Sequence, residues 1–224
     1  MKKPRAILFV FLFSLMRNHS FCQDEKFSDN KFCIKTSPLA LIDVYGSYSW
    51  RLGTEFKVSG NTAMSLEYGT YFNYGNNRNI NLRWDSKGFI IRPELKVYLN
   101  REKFCSGPFL SLEYLYKDIA FNFEDSIKLG SNPPFFKDYR IFKHISAITV
   151  KYGELRINDD GFIFEWYVGA GVRICRGHNT LTPEEDKGVL TGEGHGDVIS
   201  AGQRWVNYVA PNLSAGFKIG WRLK

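Results

Sequence analysis

The sequence predicts an all-β fold, an eight-stranded antiparallel up-and-down transmembrane β-barrel. Three observations indicate this fold: stretches that alternate apolar with polar or glycine residues recur about eight times, tight and long links separate them, and a short apolar leader comes first. The clearest stretch is Phe162–Cys175. Alternation with a period of two is typical of β-strands, and many such strands behind a leader are typical of barrels in an outer membrane.

The first element is a predicted signal peptide at residues 1–22. Three basic residues precede the apolar run Ala6–Met16, in which Ser14 is the one polar residue, and a polar stretch follows. This layout is typical of a secretory signal, and the run is shorter than the roughly 17–25 residues that a membrane-spanning helix needs. Because Phe21 precedes Cys22 where a lipidated cysteine would follow a small residue, we expect no lipid attachment. Residues 23–224 are then a single barrel domain.

Charge and cysteine usage exclude several classes of function. The leader holds four of the 30 basic residues and none of the 23 acidic ones, so the mature chain carries a net charge of only +3. This charge does not favour a nucleic-acid partner. The three cysteines outside the leader, Cys33, Cys105 and Cys175, are odd in number and widely spaced, which fits neither a disulfide framework nor a zinc site. We therefore expect no cofactor and no metal.

Eight strands are predicted, at Lys31–Leu41, Tyr45–Val58, Thr62–Tyr74, Phe89–Leu99, Pro108–Phe121, Phe142–Ile157, Phe162–Cys175 and Asn212–Leu223. The links Ser59–Asn61 and Asn158–Gly161 are tight turns, whereas Gly75–Gly88, the stretch around Glu124–Arg140, and Gly177–Asn207 are long. An even-stranded outer-membrane barrel has short turns on the periplasmic side and long loops outside. Counted from the N-terminus, the tight links fall on the periplasmic side.

Side-chain volume predicts which face of the strands points outward. The apolar faces carry fourteen aromatic residues: Tyr48, Trp50, Phe56, Tyr68, Phe72, Phe89, Tyr114, Tyr116, Tyr152, Phe162, Phe164, Trp166, Phe217 and Trp221. An eight-stranded cylinder has too little interior volume for them, so we expect them to face lipid. The alternative is a soluble lipocalin-like ligand-binding barrel, which alternates in the same way with its apolar side chains inside and stays in solution without detergent.

The opposite faces carry glycines and charges of both signs. The predicted inward set is Glu55, Glu67, Glu94, Glu113 and Glu165 with Arg51, Lys57, Arg92, Lys96, Lys117, Lys151, Arg173, Lys218 and Arg222. Buried ions need partners, so we expect an ionic network that plugs the lumen in preference to an ion pore. The Asn158–Gly161 hairpin is expected to bring Lys151 diagonal to Glu165. Pro93 lies in the middle of a strand, where a bulge or a shifted register is expected.

Several stretches resemble a family of small, uncharacterised outer-membrane β-barrel proteins of Gram-negative bacteria: Lys35–Ala40, Gly53–Glu55, Lys151–Gly153, Tyr167–Arg173 and the run from Gly216. The resemblance implies an eight-stranded barrel similar in architecture to OmpA and OmpX, and it brings no catalytic residues. The last strand, with Ile219 and Trp221 at alternate places, is also similar to the signal read by the barrel assembly machinery, although the chain ends in Lys224.

We therefore expect a non-enzymatic protein of the cell outer membrane with a structural or surface-interaction role. Its expected partners are outer-membrane lipid such as lipopolysaccharide, the barrel assembly machinery during biogenesis, and an envelope protein bound through the outer loops. No nucleic acid is expected. We assign no catalytic, cofactor-binding or metal-binding residue, because the acidic and histidine residues of the loop Gly177–Asn207 match no ligand spacing.

The alternative enzymatic hypothesis depends on His144 and Ser146. They lie two positions apart on one strand and so share its lipid-facing side, similar to the His-x-Ser pair of lipid A 3-O-deacylase, an eight-stranded outer-membrane esterase. Such chemistry needs a carboxylate to orient the histidine. We find no acidic residue at matching height on that face, because Glu154 is too far along the strand and Glu165 points inward.

Overall fold

The computed structural model describes residues 32–41, 49–71, 84–99, 106–189 and 207–223. Eight antiparallel strands form a closed barrel in the order β1 to β8. They are β1 (Phe32–Thr36), β2 (Ser49–Ser59), β3 (Thr62–Tyr71), β4 (Trp84–Tyr98), β5 (Gly107–Ile127), β6 (Phe135–Ile157), β7 (Phe162–Asn179) and β8 (Tyr208–Leu223). The prediction of an all-β, eight-stranded antiparallel barrel is confirmed. The predicted signal peptide lies outside the described residues.

Two tight turns close the hairpins β2–β3 and β6–β7 at one end of the barrel, the turn end. In the second, Asn158 and Gly161 are joined by a backbone hydrogen bond of 3.0 Å, and the Asn158 side chain accepts from the Phe162 amide at 2.8 Å. Gly161 has φ of 83°, a left-handed conformation that glycine adopts without strain. Asparagine and glycine at these positions predicted both turns correctly.

The opposite end of the barrel, the loop end, differs from the prediction. The stretch around Glu124–Arg140 was expected to be a long loop, but β5 and β6 continue through most of it and pair as far as Ile127 and Phe135. A short helix, α1 (Pro183–Gly188), lies in the predicted loop Gly177–Asn207. At this level the buried apolar side chains Ile127, Tyr139 and Ile141 face the interior, the reverse of the outward apolar face on which the strand prediction depended. No helix in the described part of the chain is long and apolar enough to span a membrane.

Aromatic side chains cover the outside of the barrel. Of the fourteen predicted to face outward, the twelve that the structure describes are all exposed or half-exposed, among them Trp50 and Trp221 with about half of their surface accessible (50% and 55%). Tyr48 and Phe72 lie outside the described residues. The predicted direction of the apolar face is confirmed for these twelve side chains.

Pro93 does not cause the expected bulge. It lies opposite Leu66 in an unshifted β3–β4 register. On the other side, the β4–β5 pairing passes from Ile91↔Tyr116 to Glu94↔Glu113 with the same offset. The expectation of a bulge or shifted register at Pro93 was wrong, because the missing N–H only interrupts the ladder toward β5.

The interior of the barrel is arranged in three layers. An apolar cluster near the turn end includes Tyr98, Phe109, Leu155 and Ile163. A second apolar cluster lies toward the loop end and comprises Tyr71, Ile90, Ile119, Phe121, Tyr139 and Ile141. A layer of buried charges lies between the two clusters.

Candidate functional site

The buried charged layer consists of five carboxylates and five cations. Each has at most 4% of its surface exposed: Glu55, Glu67, Glu94, Glu113 and Glu165, with Lys35, Arg92, Lys96, Lys151 and Lys218. The prediction that all five glutamates point inward is confirmed. Lys35 also lies in this layer, although it was not among the residues predicted to face inward. Lys57 was predicted to face inward, but it is exposed at the end of β2.

Two lysines and two glutamates form the half of the layer nearer the turn end. Lys96 Nζ lies 2.9 Å from Glu55 Oε2 and 2.7 Å from Glu165 Oε1. Lys35 Nζ contacts the same two carboxylates, at 2.6 Å from Glu55 Oε2 and 2.5 Å from Glu165 Oε2. Tyr98 also donates its hydroxyl to Glu55. These contacts join strands on opposite sides of the lumen.

The rest of the layer is organised around an arginine and two further lysines. Arg92 lies 3.1 Å from Glu67 and 2.9 Å from Glu113 through its two terminal nitrogens. Lys218 lies 3.3 Å from Glu94 and 3.4 Å from Glu67. Every one of the five glutamates therefore lies within ion-pair distance of a cation, and the layer as a whole is neutral.

Lys151 does not contact Glu165 as expected. The hairpin register places Lys151 opposite Gly169 and Glu165 opposite Leu155, so the two charged residues are four positions apart. Lys151 instead forms an ion pair with Glu113 and approaches Glu94 at 3.7 Å. A Cβ atom at Gly169 would lie 2.7 Å from Lys151 Cγ, which shows that the glycine makes room for the lysine stem.

A second cluster lies on the outside of the barrel near the loop end, around His144 and Ser146. Asp118 on β5 is the register partner of His144, and its Oδ2 lies 3.3 Å from His144 Nδ1. Within the described residues, Nδ1 is buried and makes no hydrogen bond, so the two groups are close but not aligned. Tyr114 donates its hydroxyl to Ser146 Oγ at 3.3 Å.

The expectation that no acidic residue lies beside His144 was wrong. Asp118 has the same strand parity as Tyr114 and Tyr116, so alternation along β5 places it on the outward face. Its height relative to β6 depends on the β5–β6 register, which the long link left undetermined. The signal that could have identified Asp118 was therefore its parity alone.

Asp118 lies beside Nδ1 of His144, and Ser146 follows two residues after His144 on the same face of β6. A carboxylate on the Nδ1 side of the imidazole is one of the three roles in a Ser-His-Asp triad, and no hydrogen bond joins His144 to Ser146 within the described residues. The side chains of His144 and Asp118 are 38% and 31% exposed, so a substrate can reach them from outside. Ile148 and Val150, further toward the turn end on the same face, are each 58% exposed, which places the cluster at the edge of the apolar belt.

The helix α1 accounts for several acidic residues of the predicted outer loop. Thr182 and Glu185 form a capping box at its N-terminus, and Glu185 Oε1 lies 2.5 Å from Lys137 Nζ. The hydrogen bonds from Lys137 and from the Thr182 amide hold the pKa of Glu185 below its ordinary value of 4.5. Within the described residues, no group of histidine, cysteine and acidic side chains could hold a metal ion; Glu193, His195 and Asp197 of the same loop lie outside them.

Comparison with known proteins gives no relative: no protein-family model, curated protein or solved structure matches the chain.

Proposed function

We propose that this chain is an outer-membrane β-barrel with a closed interior and a non-enzymatic, surface-interaction role. The observation that carries the proposal is the inversion of the usual soluble arrangement, with large apolar side chains outside and paired charges inside. Exposed apolar residues on β7 extend from Phe164 to Ile174, a rise of roughly 25 Å at a tilt of about 40°. Outer-membrane barrels carry an apolar band of about 25 Å.

The closed interior supports a structural plug in preference to an ion pore. The charged layer is neutral and lies between two apolar clusters, so an ion would have to displace packed side chains to pass. Eight strands enclose little more than their own side chains. In a planar bilayer, the reconstituted protein should therefore give no steady conductance, and a stable open channel would contradict the plug.

The surface-interaction role is supported by the β5–β6 hairpin, which continues beyond the described pairings with the strands on either side. The β4–β5 pairing reaches Asn122 and the β6–β7 pairing reaches Ile141, whereas the hairpin continues to Ile127 and Phe135. The hairpin is held in place by contacts with α1. In one of them, the Lys128 amide donates a hydrogen bond to the Gly188 carbonyl at 2.8 Å.

The tip of this hairpin is apolar and accessible. Phe136 is 77% exposed and Phe135 is 38% exposed, beside the exposed prolines Pro133 and Pro134. Exposed aromatic side chains on a supported hairpin are typical of protein contacts. The proposed partner is an envelope protein. Membership of the family of small outer-membrane barrels of Gram-negative bacteria, which the sequence resembles, is part of the same proposal.

Cysteine labelling in intact cells tests both the location and the orientation. Ser131→Cys in the β5–β6 loop should react with a membrane-impermeant maleimide in intact cells. Asp159→Cys in the turn-end hairpin should react only after the outer membrane is permeabilised, and the unsubstituted chain measures the background. Recovery of the mature protein in the soluble fraction, or equal labelling of both sites in intact cells, would contradict the proposal and favour the soluble barrel.

A second candidate function, acyl-ester hydrolysis at the outer rim, is favoured by the 3.3 Å approach of Asp118 to His144. Ser146 Oγ would attack the ester carbonyl and pass its proton to His144, which then protonates the departing alcohol; water would release the acyl group in a second step. The Tyr114 hydroxyl, which donates to Ser146 Oγ at 3.3 Å, is the candidate donor for the developing oxyanion. The chemistry is similar to that of lipid A deacylation.

Purified protein mixed with lipid A tests this second candidate. An active esterase would remove one acyl chain, detected by mass spectrometry, with no loss for Ser146→Ala and at least a roughly 100-fold slower loss for Asp118→Asn. Ser131→Ala, in the exposed β5–β6 loop, is the matched control and should retain activity. An unchanged lipid A mass together with no labelling of Ser146 by a fluorophosphonate would exclude this function.

A further inference from the structure

Within the described residues, β1 covers only the turn-end parts of its two neighbours, β8 and β2. The β1 strand pairs with β8 only from Leu223 to Ile219 and with β2 only from Phe56 to Leu52. Beyond Thr36 the chain leaves the sheet as a 3-10 turn, Pro38–Leu41. Within the described residues, the loop-end parts of β8 and β2 therefore have no strand between them, and the 3-10 turn lies in that position.

A cavity of about 360 Å³ lies at this position, and we call it the lateral crevice. It is lined by Ser37, Leu39, Ala40, Arg51, Tyr167, Ala215, Gly216 and Phe217. Leu39 and Ala215 are on the outer surface, whereas Tyr167 is buried inside the barrel. The lateral crevice thus connects the outer apolar surface with the polar interior, and its volume is within the roughly 300–1,000 Å³ of small-molecule sites.

Two side chains at the inner end of the lateral crevice, those of Arg51 and Tyr167, have donor groups that make no hydrogen bond within the described residues. Arg51 donates through Nε to Ser49 at 2.9 Å, and its nearest carboxylate, Glu67, is 4.0 Å from Nη1. Within the described residues, neither the Nη groups of Arg51 nor the Tyr167 hydroxyl makes a hydrogen bond. Gly216 leaves space beside that hydroxyl, since a Cβ atom there would lie 2.9 Å from it.

The charge at the inner end favours an anion. The five glutamates of the buried layer are balanced by five other cations, so Arg51, 4.0 Å from Glu67, brings the net charge of the group to +1. A guanidinium beside a hydroxyl is well suited to a carboxylate, which can accept from both. The outer end, with Leu39 and Phe217, is suited to an alkyl chain.

We propose that the lateral crevice binds a long-chain fatty acid, with its carboxylate on Arg51 and Tyr167 and its chain along Leu39 and Phe217. The ligand would enter sideways from the surrounding lipid. This inference rests on the proposed membrane location, because only there does the outer end of the crevice meet acyl chains.

Photolabelling tests the proposal with a diazirine-bearing palmitate and the full mature protein in lipid nanodiscs. We expect labelling to map to peptides that contain Leu39 or Phe217, and palmitate but not methyl palmitate to compete. Arg51→Gln should lower the labelling at least 10-fold. Ala215→Phe should block the crevice, whereas Ala170→Phe, also outward and exposed on the adjacent strand, should leave labelling unchanged.

Labelling spread evenly over the apolar belt, or unaffected by both Arg51→Gln and Ala215→Phe, would overturn the fatty-acid site while leaving the membrane proposal intact. Recovery of a monodisperse protein in plain buffer would overturn the membrane proposal. In that event the same labelling in buffer still reports whether the crevice binds the carboxylate.

Discussion

Lys96 Nζ lies 2.7 Å from Glu165 Oε1, and neither side chain has any measurable exposure to solvent. The two residues belong to β4 and β7, which are not neighbours in the barrel. Their ion pair therefore joins strands across the lumen, independently of the hydrogen-bonded ladders. The paired charges fix the relative positions of the strands from inside, between the two apolar clusters.

Removal of one cation from this layer should destabilise the barrel strongly. In Lys96→Met, Glu55 and Glu165 each lose a partner inside a buried site, and the expected loss is about 3 kcal/mol in the free energy of unfolding. Urea unfolding of the barrel refolded in detergent measures it.

The matched control is Lys57→Met, which removes a lysine of the same barrel from an exposed position on β2. It should change the free energy of unfolding by no more than about 0.5 kcal/mol. Equal effects of the two substitutions would show that the buried layer does not stabilise the fold.

Two inward-facing glycines should respond differently to an added methyl group. At Gly153 a Cβ atom would lie 2.3 Å from the Trp166 carbonyl oxygen and 2.6 Å from Phe109 Cζ, whereas at Gly53 its nearest contacts are 3.5 Å. Gly153→Ala should therefore cost about 2 kcal/mol or more through overpacking, and Gly53→Ala should stay within about 1 kcal/mol of the parent. Thermal unfolding followed by gel mobility compares them; a Gly53→Ala barrel less stable than Gly153→Ala would contradict the packing described.

Acidification should loosen the contact between α1 and the β5–β6 hairpin. Because the folded-state pKa of Glu185 lies below its ordinary value of 4.5, its pairing with Lys137 stabilises the folded form above that pH and is lost as the pH falls below it. Hydrogen exchange of the Lys128 amide, which bonds to Gly188, should accelerate over this range after correction for the intrinsic rate. Glu185→Gln should abolish this pH dependence and Glu184→Gln, at the exposed neighbouring position, should preserve it; the reverse would refute the assignment.

The sequence predicted the part of the fold in which alternation is clean. Phe162–Cys175 and the two tight turns were located correctly because one face is apolar and the turns carry asparagine and glycine. The extended β5–β6 hairpin was missed because in its outer half the apolar side chains, such as Ile127 and Tyr139, face inward, whereas the prediction followed an outward apolar face. Asp118 and the true partners of Lys151 were missed for a different reason: they depend on strand register, which alternation does not determine.

Quenching of tryptophan fluorescence by brominated lipids tests the central claim, that the large apolar rings face lipid while the ion pairs are enclosed. Variants that retain only Trp50 or only Trp221, both about half exposed on the outer surface, are reconstituted in vesicles with and without bromine on the acyl chains. We predict strong quenching of both tryptophans by the brominated lipid. Emission unchanged by bromine, from a protein that also stays monodisperse in plain buffer, would contradict it.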